Sequence, residues 1–552
     1  MPVITLDQNR FCKLVGRKLE VDDMTKWLPW LGLDIEETGP NYVKVEYNPN
    51  RMDFSSQAGI ARAFCGLMEW ETGLPKYEVH SGNIALNVEP TVSKVRPYVV
   101  GAVVRDIELD DDAVRELMEM QEDLHWGIGR DRRKASIGVH NLDAVKPPFT
   151  YKAVPPDAIS FVPLAKEEEM TLREILERHE KGVVYRHLVD WAHLYPVIVD
   201  RNGDVLSFPP IINGELTRVG NSTRNLFIDI TGPDLNSVSE SLNILTTALK
   251  DMGGTLESVQ VMYPDETLVT PDLSVQKMRL RIRYANKLLG LNLTSEEVIR
   301  CLRKCRLDAK PLNRNVLEVF IPPYRIDILH EVDLVEEVSI GYGYYRLNPT
   351  LPKAVTTGKS NKASEMSNHV RQIMVGLGFI EMMNFILTNE ENQYEKMRLK
   401  AEKVIRLANP TSAEYSTVRE LLLPCLMRNL AENKHESYPQ RIFEVSDVLR
   451  FDEKAETRTC RELHVSAATS HPSANFTEIR SYAEALLRNL SVTNFVLKAI
   501  SHPSFIEGRV ASVQCDGKEI GIVGEVHPEV LNNFELENPT GAFEINLEEI
   551  IR

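Results

Sequence analysis

Cysteine is scarce in this chain: seven residues in 552, at positions 12, 65, 301, 305, 425, 460 and 515. The number is odd and only Cys301 and Cys305 fall close together, so the expectation is reduced thiols in the cytoplasm rather than a disulfide framework. A metal pair at those two positions needs two further ligands nearby, and none is evident. Long hydrophobic runs are missing too. No stretch approaches the roughly 18 apolar residues that a membrane-spanning helix requires. The opening Pro2-Val3-Ile4-Thr5-Leu6-Asp7 lacks a basic and apolar leader, so no secretory signal is expected. Positive charge is in deficit: 64 Lys and Arg against 80 Asp and Glu leave a net charge of −16. A protein whose main task is to grip a nucleic-acid backbone is basic over its binding face. Any such grip here must come from a partner or from a local patch. Arg130-Asp131-Arg132-Arg133-Lys134 is one such patch, and reads either as a solvated loop or as a hold on an RNA end. No Walker-type loop, Gly-x-Gly-x-x-Gly or Ser-His-Asp pattern is found.

What is present is the composition of a globular protein, 43% hydrophobic and 26% charged. The length predicts three or four domains of α+β character. Residues 1–82 read as a small α+β domain, with a helix over Val21–Leu31, a strand over Tyr42–Tyr47 and a helix carrying Ile60, Phe64 and Leu67. Residues 83–268 alternate strand and helix signals, punctuated by Pro209-Pro210 and Asn213-Gly214, and predict a mixed α/β domain. Residues 269–348 predict a small winged or helix-turn-helix-like domain. It would begin with a helix near Ser274 and hold a capping box from Thr294 to Glu297. Residues 349–552 open on a linker rich in Thr, Gly, Lys and Ser. They continue as helices around an antiparallel sheet, with strands at Phe385–Leu387, Val404–Leu407 and Gln440–Val448 and a hairpin around Asp516-Gly517.

The densest chemistry lies at 322–344. Helical geometry from about residue 332 puts Asp333, Glu336 and Glu337 at i, i+3 and i+4 on one face. Asp327 precedes them in a segment kept extended by Pro322-Pro323. Four converging carboxylates repel unless a cation or a basic partner sits among them. Oxygen-only ligands suit Mg²⁺; an ordinary solvated acidic face is the alternative. A DNA-recognition helix would carry Arg, Lys, Asn or Gln instead.

Asp327, Asp333, Glu336 and Glu337, followed by Gly341-Tyr342-Gly343-Tyr344, resemble the signature of the phenylalanyl-tRNA synthetase β-subunit family. Asn48-Pro49-Asn50-Arg51-Met52-Asp53 resembles that family's Asn-Pro-Asn-Arg-Pro-Asp element, with Met52 in place of Pro. Tyr284–Gly290, Asn409–Arg419 and Leu421–Pro424 resemble further elements in family order, and length and content resemble the archaeal or eukaryotic form. The resemblance implies Mg²⁺ on the four acidic residues at the border with an α subunit, and an α2β2 heterotetramer. In it, ATP and phenylalanine bind through α, and phenylalanine is joined to tRNA(Phe). It names the 83–268 region an editing domain of B3/B4 type and the 269–348 region a B5 domain. It makes 349–552 a class II synthetase-like core.

That core looks catalytically inert. Arg441-Ile442-Phe443-Glu444 keeps only a trace of the Arg-x-Glu arrangement, and Gly541–Leu547 has no arginine where ATP phosphates would need one. An interface with the catalytic subunit is the expected use. In the editing region the resemblance implies hydrolysis of tyrosine wrongly attached to tRNA(Phe). Phe and Tyr differ by one hydroxyl, so a second site that favours the hydroxyl is physically sensible. The candidates are His125, Trp126, His140, Asn213, Glu215 and Thr223, with Arg130 and Arg133 holding the RNA end. Glu215 is the expected acceptor for the phenol, and His125 or His140 the group that poises water. The rival readings are a freestanding tRNA-editing hydrolase, and a scaffold without activity. The scaffold gains if Asn213 and Glu215 point into the core.

Overall fold

The computed structural model describes residues 2–351 and 356–550. Two compact units form, Met1–Thr350 and Leu351–Arg552, so the three segments expected as separate N-terminal domains pack as one body. Residues 352–355 and 551–552, which fall in the expected 349–552 core, lie outside the described residues.

The first unit holds three principal sheets. Tyr42–Glu46 pairs antiparallel with Val3–Asp7 on one side and Asp34–Thr38 on the other. Its buried Val43 and Val45 alternate with polar neighbours, the period of a half-buried strand. Helix Gln57–Leu67 starts where the Ser56 hydroxyl accepts the Gly59 N–H and buries Ile60 and Phe64. The helix expected over Val21–Leu31 is split: Val21–Trp27 is α-helical and Pro29 sits in a 3₁₀ turn, Leu28–Leu31.

The second sheet has ten strands. Val79–Val88 runs parallel to Thr255–Met262, and Tyr98–Arg105, Leu226–Gly232 and Ser136–Asn141 follow antiparallel. Helices Asp111–Trp126 and Leu235–Asp251 supply Leu117, Leu124, Leu242 and Leu249 to the core on one face. Strands at the far end, Tyr195–Val199, Val205–Phe208 and Ile212–Asn213, complete the sheet.

The third sheet, Gln276–Arg281, Val316–Ile321 and Asp308–Asn313, supports helices Ile282–Leu289, Ser295–Lys304 and Glu331–Tyr342. The helix expected near Ser274 is a strand. Leu280 is buried between the exposed Arg279 and Arg281, a period of two that suits a strand better than a helix. The Thr294–Glu297 capping box forms as read, each residue closing on the other's backbone N–H.

The second unit is a seven-stranded sheet, antiparallel except where Ile380–Glu381 joins Gln440–Phe451. Helices Lys362–Gly376 and Phe476–Asn489 cover one face through Val370, Met374, Ile479 and Leu486. Helix Leu423–Glu432 covers the other through Leu426 and Leu430. The expected hairpin turns through Asp516 and Gly517 at φ +51° and +82°, the left-handed pair of a type I′ turn. The strand expected at Val404–Leu407 is reduced to a single bridge, Arg406 to Thr417, after Lys403 turns left-handed at φ +49°. All seven cysteines are free. No helix among the described residues is long and apolar enough to cross a membrane.

Candidate functional site

A cavity of about 570 Å³ opens in the ten-stranded sheet domain, between helix Asp111–Trp126, strands Ser136–Asn141 and Leu226–Gly232, and the turn after Phe208. Leu117, Ile137, Val139, Phe208 and Ile211 make much of its wall apolar. Its size and the few polar groups set into it are those of a small-molecule site. Those groups include His125, Arg132, Ser207, Asn213, Thr217 and Asp229.

The sheet register explains how they meet. Ser207 lies opposite Asn213 in one strand pair. Asp229 lies opposite Gly138, and Phe227 opposite His140. The Asp229 carboxylate, buried within an otherwise apolar strand, takes the His140 Nε2 at 2.7 Å. A carboxylate accepts, so Nε2 is the donor in this bond. The other ring nitrogen, Nδ1, lies 2.8 Å from Thr217 Oγ1. Thr217 lies also within 3.2 Å of the Gly214 carbonyl, which competes for its single hydroxyl proton. Asp229, His140 and Thr217 thus form a buried relay whose two ends, Asp229 and Thr217, line the cavity.

Two buried polar atoms on residues of the cavity wall have no protein partner, Arg132 Nε and Ser207 Oγ, and His125 Nδ1 has only Glu122, at 3.8 Å. Buried polar groups are seldom left unpaired, so a polar guest is implied. His125 Nε2 accepts the Ile137 N–H at 2.8 Å, which leaves the proton on Nδ1. Burial pushes its pKa down to about 4, against the pull of Glu122. At neutral pH His125 is therefore a neutral donor, not the base that was expected to poise water. Arg132 is held by the Pro210 and Ile211 carbonyls and by Glu122. Its guanidinium stacks over Tyr185 at 4.4 Å, joining the helix to the turn that closes the cavity.

The other expected residues are scattered. Asn213 lines the cavity and donates weakly to the Val139 carbonyl. Glu215 does not line it: one oxygen accepts the Ala165 N–H at 2.7 Å and the other pairs with Arg218. Its expected role as phenol acceptor is not supported, because both oxygens are already engaged, by residues of the cavity's edge, Ala165 and Arg218. Neither Asn213 nor Glu215 points into the core, so the scaffold reading gains nothing there. Thr223 is a turn residue, accepting the Gly220 N–H. Trp126 is exposed, away from the lining. Arg130 and Arg133 are exposed, flanking the buried Arg132, where three successive residues, Arg130 to Arg132, have left-handed backbone. Ser207, Asp229, Thr217 and Arg132 were missed. Asp229 had a visible signal, a lone charge inside the apolar run Leu226–Ile230; Ser207 had none.

The acidic motif is arranged differently from expectation. Arg325 Nε and Nη2 bind Asp327 at 2.8 and 2.7 Å, and Nη1 and Nη2 bind Glu337 at 3.0 and 2.6 Å. Asp333 caps its helix, accepting the Leu329 and His330 N–H groups. Glu336 alone is exposed. Asp327, Glu336 and Glu337 line one small cleft, but among the described residues no cluster of three or more His, Cys, Asp or Glu is placed to hold a metal ion. The donor set as folded does not fit Mg²⁺, because a guanidinium already takes both oxygens of two of the four groups.

The buried charges of the second unit are likewise paired from within. Arg419, fully buried, donates to Glu444, Ser446 Oγ and the Asp447 carbonyl. Glu544 takes His464 Nδ1 at 2.8 Å and the N–H groups of Leu422 and Leu423. Burial alone would lower the His464 pKa, but its contacts with Glu462 and Glu544 outweigh that and raise it. Arg441 turns to Glu478 and Tyr482.

Sequence comparison accounts for this pattern. Residues 347–547 match the family model for the phenylalanyl tRNA synthetase beta chain CLM domain, and 278–344 match the tRNA synthetase B5 domain. The phenylalanine–tRNA ligase beta subunit of Methanocaldococcus jannaschii is 44% identical over 99% of this chain and 100% of its own length. That of Archaeoglobus fulgidus is 45% identical over 99% and 98%. The chain belongs to the phenylalanine–tRNA ligase beta subunit family. An N-terminal fragment of the phenylalanyl-tRNA synthetase beta subunit from Pyrococcus horikoshii has the same fold, with TM-score 0.60 and 37% identity over 62% of this chain and 99% of the fragment. As a member of this family the chain is an aminoacyl-tRNA synthetase subunit, a ligase component of protein biosynthesis.

Proposed function

We propose that this chain works in the cytoplasm with an α subunit, in an α2β2 assembly, to attach phenylalanine to tRNA(Phe) at the expense of ATP. In this reading ligation takes place in α, and this chain supplies a scaffold and the hydrolytic removal of tyrosine from mischarged tRNA(Phe). The scaffold part is supported by the filled core of the second unit, where the buried pairs Arg419–Glu444 and His464–Glu544 satisfy one another's charges and leave none of them for a ligand. It is supported also by an exposed apolar run on the same unit: Met383 is 94% and Phe385 70% exposed. Such a patch suits a protein partner.

The editing part is carried by one observation, the unpartnered Ser207 hydroxyl buried in the cavity wall opposite Asn213. A hydroxyl-bearing side chain would satisfy it, whereas phenylalanine would leave it unpaired. A site built to bind a hydroxyl rejects the analogue lacking it far more strongly than an apolar pocket rejects an added one. The Asp229–His140–Thr217 relay sits at the wall where it can orient a water, and the exposed Arg130 and Arg133 are placed to meet phosphates. The test is single-turnover hydrolysis of Tyr-tRNA(Phe) and Phe-tRNA(Phe) by the assembled enzyme and its Ser207→Ala form. Tyr-selective hydrolysis that loses selectivity in the variant supports the reading. Equal rates on both substrates, unchanged by the variant, would sink it.

A further inference from the structure

The chain contains the same short pattern twice, and its second copy accounts for the acidic motif. Pro49-Asn50-Arg51-Met52-Asp53 and Pro323-Tyr324-Arg325-Ile326-Asp327 both read Pro-x-Arg-x-Asp. In each, the arginine folds back on the aspartate two residues later as a two-pronged pair. Nε meets Oδ1 at 2.9 Å and Nη2 meets Oδ2 at 2.9 Å in the first, and the matching distances are 2.8 and 2.7 Å in the second. The second arginine does more. Its Nη1 and Nη2 reach across to Glu337, so one guanidinium engages all four oxygens of Asp327 and Glu337. The side chains are 1%, 11% and 6% exposed. Arg51 and Asp327 line the same small cleft, together with Glu336 and Glu337.

We infer that the cation of the acidic motif is the Arg325 guanidinium, and that this chain completes the motif without a divalent ion. A planar guanidinium matches two carboxylates in a way that a point charge does not. Mg²⁺ demands six oxygens in near-octahedral order at about 2.0–2.1 Å. To gather Asp327 and Glu337 it would have to expel a buried arginine and leave that charge unpaired, or sit beside it and be repelled. Asp333 is tied to the start of its helix, where its Oδ2 holds two backbone N–H groups. Only Glu336 has a carboxylate with no hydrogen bond or ion pair among the described residues, and one monodentate oxygen does not make a Mg²⁺ site.

The test uses the full chain, alone and assembled with its α partner, stripped with EDTA and then titrated with MgCl₂ in a calorimeter, with the melting midpoint read alongside. The expected result is no saturable heat and no rise in the midpoint. A resident ion well above its Kd would raise that midpoint by several degrees. Arg325→Gln frees two carboxylates, and should melt lower and recover part of the loss on adding millimolar Mg²⁺. Saturable Mg²⁺ binding to the wild-type chain that disappears in Asp327→Asn or Glu336→Gln would overturn the inference. If Arg325→Gln fails to fold, the wild-type titration and the Glu336→Gln comparison still decide between the two outcomes.

Discussion

Gly138 lies directly opposite Asp229 in the sheet, and a methyl group at that position would collide with the Asp229 carboxylate and come within 2.6 Å of His140 Nε2. The glycine is therefore a condition for the His140–Asp229 pair, not a flexible joint. Gly138→Ala should separate the two side chains and leave a buried carboxylate short of its partner, a defect of about 1–3 kcal/mol. The expected outcome is a loss of roughly 5- to 150-fold in Tyr-tRNA(Phe) hydrolysis, following about 1.4 kcal/mol per decade. Phenylalanine attachment by the assembled enzyme should stay intact. Both are read from single-turnover and aminoacylation assays on the same preparation.

His125 sets an acid limit on the first unit. Its pKa is depressed from 6.5 to about 4 by burial. Between those two values the unfolded chain binds a proton that the native chain does not. Stability is thus fully present above about pH 6.5 and falls as pH drops toward 4, by at most on the order of 3 kcal/mol. His125→Gln can still accept the Ile137 N–H but does not titrate. Its melting midpoint should fall less than that of the wild type between about pH 7 and about pH 4.5. Parallel acid slopes for the two proteins would show that His125 contributes nothing to the limit.

In the second unit, Arg419 and Glu444 are a fully buried pair at 2.8 Å, with side chains 0% and 2% exposed. Removing one partner strands the other. Arg419→Met should cost about 3–5 kcal/mol, and the double variant Arg419→Met with Glu444→Gln should recover much of that. Calorimetry of the full chain would show the single variant lowering the melting of this unit and the double variant restoring it in part.

The fold was legible where periodicity and turn chemistry were strong. Ile60 and Phe64 announced a buried helix face, Thr294 and Glu297 a helix start, and Asp516-Gly517 a hairpin, and all three form. Segments with weak periodicity were misread, as at Gln276–Arg281, where a strand partner far along the chain decides the conformation. The site was half legible. His140 and Asn213 are placed by cross-strand register, and His125 by a helix that packs its ring on the Ile137 N–H, and neither relationship is displayed in a sequence. The same blindness hid Ser207, and it hid Arg325 as the counter-charge of Asp327 and Glu337.

Asn213 and Glu215 are two residues apart and read as a pair in the sequence, yet the structure gives them different work. Asn213 faces the cavity, while Glu215 holds the Ala165 turn and Arg218 at the surface. Asn213→Ala removes a side chain that can bond the substrate, a loss of about 0.5–1.5 kcal/mol, or roughly 3- to 10-fold in Tyr-tRNA(Phe) hydrolysis. Glu215→Ala loosens only a rim turn and should stay within about threefold of wild type, because an exposed pair such as Glu215–Arg218 contributes about 0–1 kcal/mol. The contrast between the two variants is measured in one assay. A large loss in Glu215→Ala with Asn213→Ala near wild type would move the hydroxyl-binding group out of the cavity wall and onto the turn.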